Sequence, residues 1–523
     1  MTQIHSSGLW AAPWLLLVLP LLLRALPWGR GEAEWAPSWR IDLPLALVVS
    51  VAMAALCSAE LSLPLTEYFP ISSSDFDQYC ELTARVAEGD MIDYRGVRMT
   101  APAWLPAMAS RHLGLIDGLA LQSFLALVVV CGGLYLWGLA LHSRLAGLCA
   151  ALLVGSVGPM AFLARDLSFY PVVVAGSVAL AAAVTASARF RGAWPALLVG
   201  LSACGLLLSD VRGVLFAAPL VGLGLLFALV RARTWKGALV RLGLVFFPVL
   251  LSWFVAGAVV PQGTTGLERQ AVMYADQAVA NAGGSPSLLA QQRNTTLHDS
   301  GFVWGHRSIA ALPGTFLFLR QLTDRIPAEV RGSEQNQRLR ARHLRPWAVP
   351  GVVALCLCLT GLGRRPWRLL SLVLSAAPFL AMLWATGQVL PQERHLATAL
   401  AVLPLIMGVA VAVLAEGAPS LGPRADAPAR RWLPWRRALL LGAVLAGMMG
   451  WPPTWLGHWA GWRQGIVQSE PRTMLQQLSR GQSLGDSHCV RALERDMDQP
   501  WWPSRFYPRA HRVLDGSDPW APD

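Results

Sequence analysis

Long hydrophobic runs separated by short polar connections dominate the chain. A membrane-spanning helix needs about 20 mostly apolar residues. We predict such helices at 43–63, 114–140, 146–163, 169–188, 195–208, 213–230, 239–260, 347–362, 369–386, 395–415 and 438–451. An earlier run, Leu9 to Leu23, is a twelfth span or a helix lying in the interface, because it lacks the basic start and cleavage site of a signal peptide. The pattern predicts an all-α polytopic membrane protein with about 11–12 transmembrane helices.

The basic residues predict the orientation of these helices across the membrane. Short cytoplasmic connections of membrane proteins are rich in Arg and Lys. One alternate set of connections contains Arg24, Arg30, Arg40, Arg144, Arg189, Arg191, Arg231, Arg233, Lys236, Arg241, Arg364, Arg365, Arg368, Arg424, Arg430, Arg431, Arg436 and Arg437. The short connections of the other set carry one arginine each, namely Arg165, Arg212 and Arg394. This alternation predicts that the second set lies on the outer side of the membrane.

The same alternation divides the chain into successive parts. Residues 1–40 are an N-terminal hydrophobic segment with a cytoplasmic connection, and residues 41–260 are a transmembrane core containing a first outer loop, 64–113. A large outer (periplasmic) loop at 261–346 precedes the C-terminal transmembrane helices at 347–451, and residues 452–523 form an outer tail. The cytoplasmic connections are too short for a nucleotide-binding domain. The sequence also lacks the GxxxxGK[ST] motif, which argues against an ATP-driven pump.

Composition agrees with lipid as the main solvent. Of 523 residues, 54% are hydrophobic and 14% are charged, whereas soluble domains carry about 25% charged residues. The chain has 42 arginines and the single lysine Lys236, a usage typical of a GC-rich bacterial genome. Because the arginines punctuate hydrophobic runs and form no single basic face, we expect no nucleic-acid partner. We expect a multi-pass protein of the bacterial inner (cytoplasmic) membrane.

The cysteines do not predict a disulfide framework. Most of them lie in apolar stretches, where a thiol behaves as a small hydrophobe. These are Cys57, Cys131, Cys149, Cys204, Cys356 and Cys358. Cys80 and Cys489 lie in polar outer segments and could meet there, but with only two candidates the unpaired state is the favoured interpretation.

Two acidic residues follow the first core span at its outer end. Asp75 and Asp77 lie within SSSDFDQY, and carboxylates so close to lipid are costly unless they bind something or face water. We predict a loop helix at 79–86 that stops at Gly89, and a second short amphipathic segment on the membrane surface around 102–106. A solvated cap of the loop helix is the alternative role for the two carboxylates.

Further outer connections place acidic residues beside arginines. They are the turns ARDLSFYP and SDVRG and the start of a later span, QERH. An ion pair that anchors helix ends is the alternative interpretation for each. Their gathering on one side of the membrane favours a functional site for the whole set. The residues concerned are Arg165, Asp166, Asp210, Arg212, Arg394 and His395.

Arginine and aspartate together suit one kind of chemistry. The planar guanidinium binds phosphate oxygens through paired hydrogen bonds and stays charged. A carboxylate beside a hydroxyl can take its proton as a general base. The combination fits the attack of a nucleophile on a sugar carbon whose leaving group is a phosphate, and a lipid-linked donor would explain why the catalyst lies in a membrane.

These features resemble the GT-C superfamily of glycosyltransferases, which includes protein O-mannosyltransferases and aminoarabinose transferases. The stretch SDFDQYCELTARVAEGDMIDYRGVRMTAPAWLPAM is similar to the first outer loop of that family. The matching positions are Asp75, Asp77, Tyr79, Ala84, Gly89, Asp90, Tyr94 and Pro102. The order of loops and spans also matches over roughly 43–415. The family has adjacent acids where Phe76 separates them here, so either aspartate could be catalytic, and His395 replaces a usual tyrosine.

The resemblance implies a transferase that moves a sugar from a polyprenyl-phosphate donor to a lipid, glycan or protein acceptor, with inversion, at the outer face. It implies Asp75 or Asp77 as general base. The implied donor phosphate site is Arg165, Asp166, Arg212 and Arg394, with Tyr79, Tyr170, Asp210 and His395 in support. No cofactor is indicated, although His298, Asp299 and His306 in the large outer loop could bind a divalent metal.

Two other functional classes stay open. A polysaccharide polymerase or ligase is also polytopic with a large arginine-rich outer loop, but it would not need Asp75. A transporter or flippase would need no catalytic base. Transporters more often bury charge near the middle of the membrane or show inverted repeats, whereas the ionisable residues here lie at the ends of spans.

Overall fold

Helices account for all regular structure in the part of the chain that the computed structural model describes. The described residues are 39–58, 76–89, 101–157, 160, 163, 167–190, 192–209, 212–230, 232, 234–259, 350–363, 366–386, 398, 400–416 and 487–497. Within them, Arg40–Cys57, Leu115–Leu141 and Tyr170–Arg189 are long and apolar enough to cross a membrane, and several shorter apolar helices accompany them. The described residues therefore form an all-α fold of membrane-protein character.

The helices follow the predicted spans. In chain order they are α1 (Trp39–Ser58), α2 (Phe76–Glu88), α3 (Ala101–Leu113), α4 (Leu115–Leu141), α5 (Arg144–Leu152), α6 (Tyr170–Arg189), α7 (Trp194–Ser209), α8 (Arg212–Val230), α9 (Trp235–Val259), α10 (Pro350–Leu362), α11 (Pro366–Thr386), α12 (Val402–Glu416) and α13 (His488–Met497). Each predicted span from 43–63 to 395–415 overlaps one of them. The predicted spans 9–23 and 438–451 and the loop 261–346 lie outside the described residues.

Two predicted boundaries need correction. The span predicted at 146–163 is too long, because α5 ends at Leu152 and a short 3-10 helix, Leu153–Ser156, follows it. Glycine and proline in the following GSVGP sequence weaken helix continuation although the run remains apolar. The loop helix predicted at 79–86 extends over the whole of α2, and its predicted stop is confirmed by Gly89, which adopts φ +85°.

Small residues bring the central helices close together. A Cβ atom added to Gly138 in α4 would lie 2.7 Å from the backbone nitrogen of Gly147 in α5. One added to Gly408 in α12 would lie 2.6 Å from the backbone nitrogen of Ala150 on α5. Since lipid provides no hydrophobic force between helices, such close backbone approach is a main source of helix association in membranes. Helix α5 is thereby held between α4 and α12.

Arginines from two connections cap the C-terminal end of α4. Arg189 Nη1 donates to the carbonyl oxygens of Ala140 at 2.9 Å and His142 at 3.2 Å. Arg368 Nη1 donates to the carbonyl of Leu141 at 3.5 Å. The last carbonyls of a helix have no partner within the helix and carry partial negative charge, so cations stabilise this end. Both arginines belong to the set predicted to be cytoplasmic.

A buried ion pair joins α1 to α4 and α5 at the same end of the bundle. The carboxylate of Asp42 accepts from Arg144 Nε at 2.5 Å and Nη2 at 2.9 Å. The Tyr135 hydroxyl donates to the same carboxylate at 2.7 Å. A carboxylate so deeply buried is tolerated because it is paired with a cation and accepts hydrogen bonds. Three of the arginines predicted to be cytoplasmic, Arg144, Arg189 and Arg368, thus lie around one end of α4.

Candidate functional site

A second group of buried side chains surrounds the N-terminal end of α4. Helix α4 has 27 residues, so this end is about 40 Å from the arginine-capped end at 1.5 Å per residue. We call this group the outer cluster. It contains Tyr79, Cys80, Leu82, Ala84, Ala103, Leu115, Ile116, Leu119, Ala120, Leu167, Phe169, Tyr170, Cys489, Ala492 and Leu493. The outer cluster joins the first outer loop, the connection before α6 and the C-terminal tail, all of which were predicted to lie on the outer side.

Aromatic rings form the contact between the first outer loop and the connection before α6. The ring of Tyr79 in α2 lies 4.5 Å from that of Phe169 and 6.5 Å from that of Tyr170, measured between centroids. Both distances lie within the range of favourable tilted and edge-on aromatic pairs. Tyr79 is 2% exposed and Tyr170 is 4% exposed. Two of the predicted supporting residues therefore share one buried contact.

Local sequence explains why these rings are held in place. Helix α6 begins at Tyr170, whose backbone N–H donates to Ser168 Oγ at 3.2 Å, and Pro171 occupies its first turn. In α2, Tyr79, Leu82 and Thr83 recur at helical spacing and are buried, which turns one face of that helix towards the cluster. Both sides of the aromatic contact are thus set by the ordinary rules of helix starts and helix faces.

The remaining predicted site residues lie largely outside the described part. Asp77 lies in the first turn of α2 and Arg212 begins α8, with the backbone described for each. The others fall outside the described ranges: Asp75, Arg165, Asp166, Asp210, Arg394 and His395. The catalytic and phosphate-binding roles assigned to these residues stay predictions.

A disulfide bond links Cys80 to Cys489, with their Cα atoms 5.3 Å apart and a sequence separation of 409 residues. The interpretation that these two cysteines stay unpaired is therefore wrong. Sequence alone could not show that the tail folds back onto the first loop. The other six cysteines form no disulfide. Because disulfides persist in oxidising compartments, the bond supports one shared, non-cytoplasmic side for α2 and α13.

Polar contacts surround the disulfide. The Glu81 carboxylate accepts from Arg85 Nε at 2.8 Å and from the backbone N–H of Cys489 at 2.9 Å. Partial burial raises the pKa of Glu81, but these hydrogen bonds and nearby positive charge outweigh it, so its pKa lies below the usual value. Next to it, His488 Nδ1 lies 2.6 Å from Glu88 Oε2. A carboxylate of α2 thus caps the N-terminal end of α13.

The other end of α13 reaches the start of α4. The buried carboxylate of Asp496 accepts the backbone N–H of Leu115 at 2.5 Å. Burial raises the pKa of Asp496 to about 6, with Asp117 in the first turn of α4 adding to the rise while the Leu115 hydrogen bond and Arg495 oppose it. Gly114, with φ +94°, makes the tight corner between α3 and α4 that exposes this N–H.

Sequence reasoning missed α13 and its contacts. The tail was interpreted from its tryptophans and prolines, whereas HCVRALERDM carries apolar or neutral residues at helical spacing. That spacing, together with a cysteine in its first turn, was the available signal. Among the described residues, no group of three or more His, Cys, Asp or Glu could hold a metal ion. His298, Asp299 and His306 lie outside those residues, and the expectation that no metal is needed stays a prediction.

Comparisons with known proteins gave structural similarities alone. No protein-family model matches the sequence, and neither does any curated protein. Apo oligosaccharyltransferase from Archaeoglobus fulgidus is similar with a TM-score of 0.43 and 12% identity, covering 91% of this chain and 61% of that one. ArnT from Cupriavidus metallidurans bound to undecaprenyl phosphate has a TM-score of 0.48 and 12% identity, covering 87% and 84%.

A third structure is the archaeal oligosaccharyltransferase AglB from Archaeoglobus fulgidus with an inhibitory peptide and a dolichol-phosphate. Its TM-score is 0.43 and its identity 13%, covering 91% of this chain and 60% of that one. The chain thus spans about three fifths of the length of the archaeal chains it matches. Because these TM-scores lie below 0.5, we infer nothing about function from the similarities.

Proposed function

We propose that this protein is a membrane glycosyltransferase of the GT-C type. It transfers a sugar from a polyprenyl-phosphate donor to an acceptor at the outer face of the membrane. The observation that carries the proposal is the packing of Tyr79 against Phe169 and Tyr170. This contact joins the element that begins at the acidic pair of the first outer loop to the element that follows the ARD turn.

Chain connectivity supports a location near this contact for the proposed catalytic groups. Asp77 lies two residues before Tyr79 in α2. Asp166 directly precedes Leu167, which is buried in the outer cluster. Because consecutive Cα atoms are about 3.8 Å apart, both acidic elements start from one small region at the N-terminal end of α4. This proximity is what a shared donor and acceptor site requires.

The proposed reaction is a single displacement at the anomeric carbon of the donor sugar. Asp75 or Asp77 takes the proton of the acceptor's nucleophilic group as that group forms its bond to the anomeric carbon. The bond between that carbon and the phosphate oxygen breaks, and polyprenyl phosphate leaves with the electron pair. One carboxylate acting as base on the attacking side, without a covalent intermediate, inverts the configuration.

Arginine side chains have the second role in this proposal. Negative charge grows on the phosphate oxygens as the carbon–oxygen bond breaks, and a positioned guanidinium stabilises it through paired hydrogen bonds. Arg165 is the first candidate because it belongs to the turn next to Leu167. Arg212 and Arg394 are the further candidates, and Asp166 would orient a neighbouring arginine.

Transfer by the purified full-length protein tests this function. The first carriers to use are undecaprenyl phosphate and dolichol phosphate, each loaded with a radiolabelled sugar, with lipid, glycan and peptide acceptors in parallel. We expect the wild type to transfer label. We expect Asp75→Asn or Asp77→Asn to abolish transfer with membrane insertion intact, while the exposed Glu494→Gln in α13 remains active.

The alternatives give different results in the same assay. A polymerase or ligase would keep full activity in both aspartate variants, which would remove the carboxylate base from the mechanism. A flippase would move a labelled lipid across vesicle membranes without forming any glycosidic product. Wild-type protein that transfers no sugar from either carrier to any acceptor class would contradict the proposal.

A further inference from the structure

Helix α13 is fastened to the loop helix α2 by both covalent and polar contacts. Cys489 forms the disulfide with Cys80 and also donates its backbone N–H to the Glu81 carboxylate. One residue earlier, His488 contacts the carboxylate of Glu88 at the C-terminal end of α2. These contacts lie along the length of α2, so they restrain its direction as well as its distance from α13.

The same short helix is fastened to the transmembrane bundle at its other end. The Asp496 carboxylate accepts the backbone N–H of Leu115 at the start of α4. Leu493 and Ala492 are buried in the outer cluster beside this contact. A helix of ten residues spans about 15 Å, so α13 bridges from α2 to α4. Each end of the bridge uses a carboxylate to satisfy the free N–H groups of a helix start.

The bridge acts on the helix that carries a candidate base. Asp77 lies one helical turn before Glu81, the residue that caps α13. A catalytic group must be held within about 0.5 Å of its productive position, and a displacement of about 1 Å can cost about a hundredfold in rate. Restraining α2 against α4 therefore bears directly on where the first turn of α2 stands relative to residues 167–170.

We propose that α13 is a positioning clamp for α2, with Cys489, Glu81 and Asp496 as its positioning residues. This inference rests on the proposed function, because the catalytic consequence requires a base in the first turn of α2. The clamp contacts neither the sugar nor the phosphate. It sets the rate of the chemical step through α2, and so makes transfer depend on a segment 409 residues away in sequence.

Steady-state kinetics of a cysteine variant test the clamp. The variant is Cys80→Ser with Cys489→Ser, and the matched control is Cys356→Ser, a free cysteine exposed on α10. We expect the double variant to lower kcat by about tenfold to a hundredfold, the cost of a small misplacement. We expect the KM for the donor to change by less than about twofold, because the clamp contacts neither the sugar nor the phosphate. A tenfold change in KM would correspond to about 1.4 kcal/mol of lost donor binding. The control should match wild type in both constants.

Hydrogen exchange of backbone amides gives a second readout that needs no activity. In the double variant we expect faster exchange at 76–89 and 487–497, with exchange at 119–141 and 170–189 unchanged. Glu81→Ala should shift the same segments, and Glu81→Gln, which keeps an acceptor oxygen for Cys489, should restore part of the protection.

The outcomes separate the two proposals. Wild-type protein without transferase activity would contradict the proposed function, whereas the hydrogen-exchange pattern would still test the clamp. Unchanged exchange at 76–89 in the double variant would overturn the clamp. Faster exchange throughout the transmembrane helices, or equal losses in kcat and donor binding, would show a general structural role and would also overturn it.

Discussion

Two carboxylates, those of Glu81 and Asp496, connect α13 to its neighbouring helices. Glu81 accepts hydrogen bonds from its own helix and from α13, and Asp496 joins α13 to α4. Their environments act on ionisation in opposite directions, since the pKa of Glu81 is lowered and that of Asp496 is raised. Glu81 therefore favours docking of α13 when it is ionised, and Asp496 favours docking when it is protonated.

The raised pKa of Asp496 predicts weaker docking of α13 at higher pH. The folded pKa is about 6 and the ordinary value is 3.8, so the folded state binds more protons between these limits and stability falls as pH rises through them. Asp496→Asn keeps an acceptor oxygen and should remove this dependence. Amide exchange at 487–497, corrected for intrinsic rates and measured above the ordinary pKa of Glu81, checks it. Equal pH dependence in both proteins would contradict it.

The ion pair of Asp42 and Arg144 predicts that removing one partner destabilises the protein more than removing both. Asp42→Ala leaves the Arg144 guanidinium without its main partner, which costs up to about 3 kcal/mol of unfolding free energy because Arg144 is partly buried. The double variant with Arg144→Ala should recover part of that loss because no charge is stranded. Arg491→Ala, at an exposed site, should change stability by less than about 0.5 kcal/mol.

Denaturant unfolding of the purified protein in detergent measures these differences. If the double variant lost the sum of the free energies lost by the two single variants, the two residues would not be acting as a pair.

The central helices of this protein pack closely at glycines, which have no side chain. The α4–α5 contact depends on Gly138 and Gly147, and the α5–α12 contact depends on Gly408. Such positions constrain an element more strongly than hydrophobicity does, because lipid solvates an apolar side chain as well as a neighbouring helix does. Close backbone approach, and not burial of apolar area, therefore decides which helices pack together.

Alanine substitution at two glycines should have effects of opposite sign. Gly138→Ala places a methyl 2.7 Å from the Gly147 backbone nitrogen, an overlap that costs about 1–3 kcal/mol. Gly222 in α8 has nothing within 4 Å of an added Cβ, so Gly222→Ala should stabilise by up to about 1 kcal/mol through helix propensity. The thermal unfolding midpoints of the two variants measure these effects. A destabilising Gly222→Ala together with a neutral Gly138→Ala would contradict the prediction.

At the scale of the whole molecule, α4 connects two opposed sets of polar contacts. Arginines gather around its C-terminal end, and the outer cluster with its disulfide surrounds its N-terminal end. These ends correspond to the two sides that the arginine alternation predicts. Cytoplasmic thiols stay reduced, so the disulfide is compatible with the orientation that the arginine distribution predicts.

Thiol labelling in intact cells tests this orientation. A membrane-impermeant maleimide should label Glu494→Cys, at an exposed position of α13, without permeabilisation, because Cys80 and Cys489 themselves are buried. A variant that retains only Cys356, which is exposed on an apolar helix, is the control and should stay unlabelled. Labelling of Glu494→Cys only in permeabilised cells would place α13 on the cytoplasmic side.

The sequence by itself determined where most helices lie and predicted how they are oriented across the membrane. Those properties are local, because a run of about 20 apolar residues satisfies its backbone only as a helix in lipid, and arginine counts in short connections set orientation. The position of α2, with its stop at Gly89, also followed from local signals. Tyr79 and Tyr170 could be singled out by resemblance, although nothing in the sequence showed their contact.

Tertiary structure alone decided how distant segments combine. It paired Cys80 with Cys489, placed α13 between α2 and α4, and shortened the helix that ends at Leu152. Contacts of this kind depend on backbone approach, on helix ends that lack hydrogen-bond partners and on a few buried charges. None of these has a period or a length that a one-dimensional pattern records, which is why residues 409 apart had to be brought together by the fold.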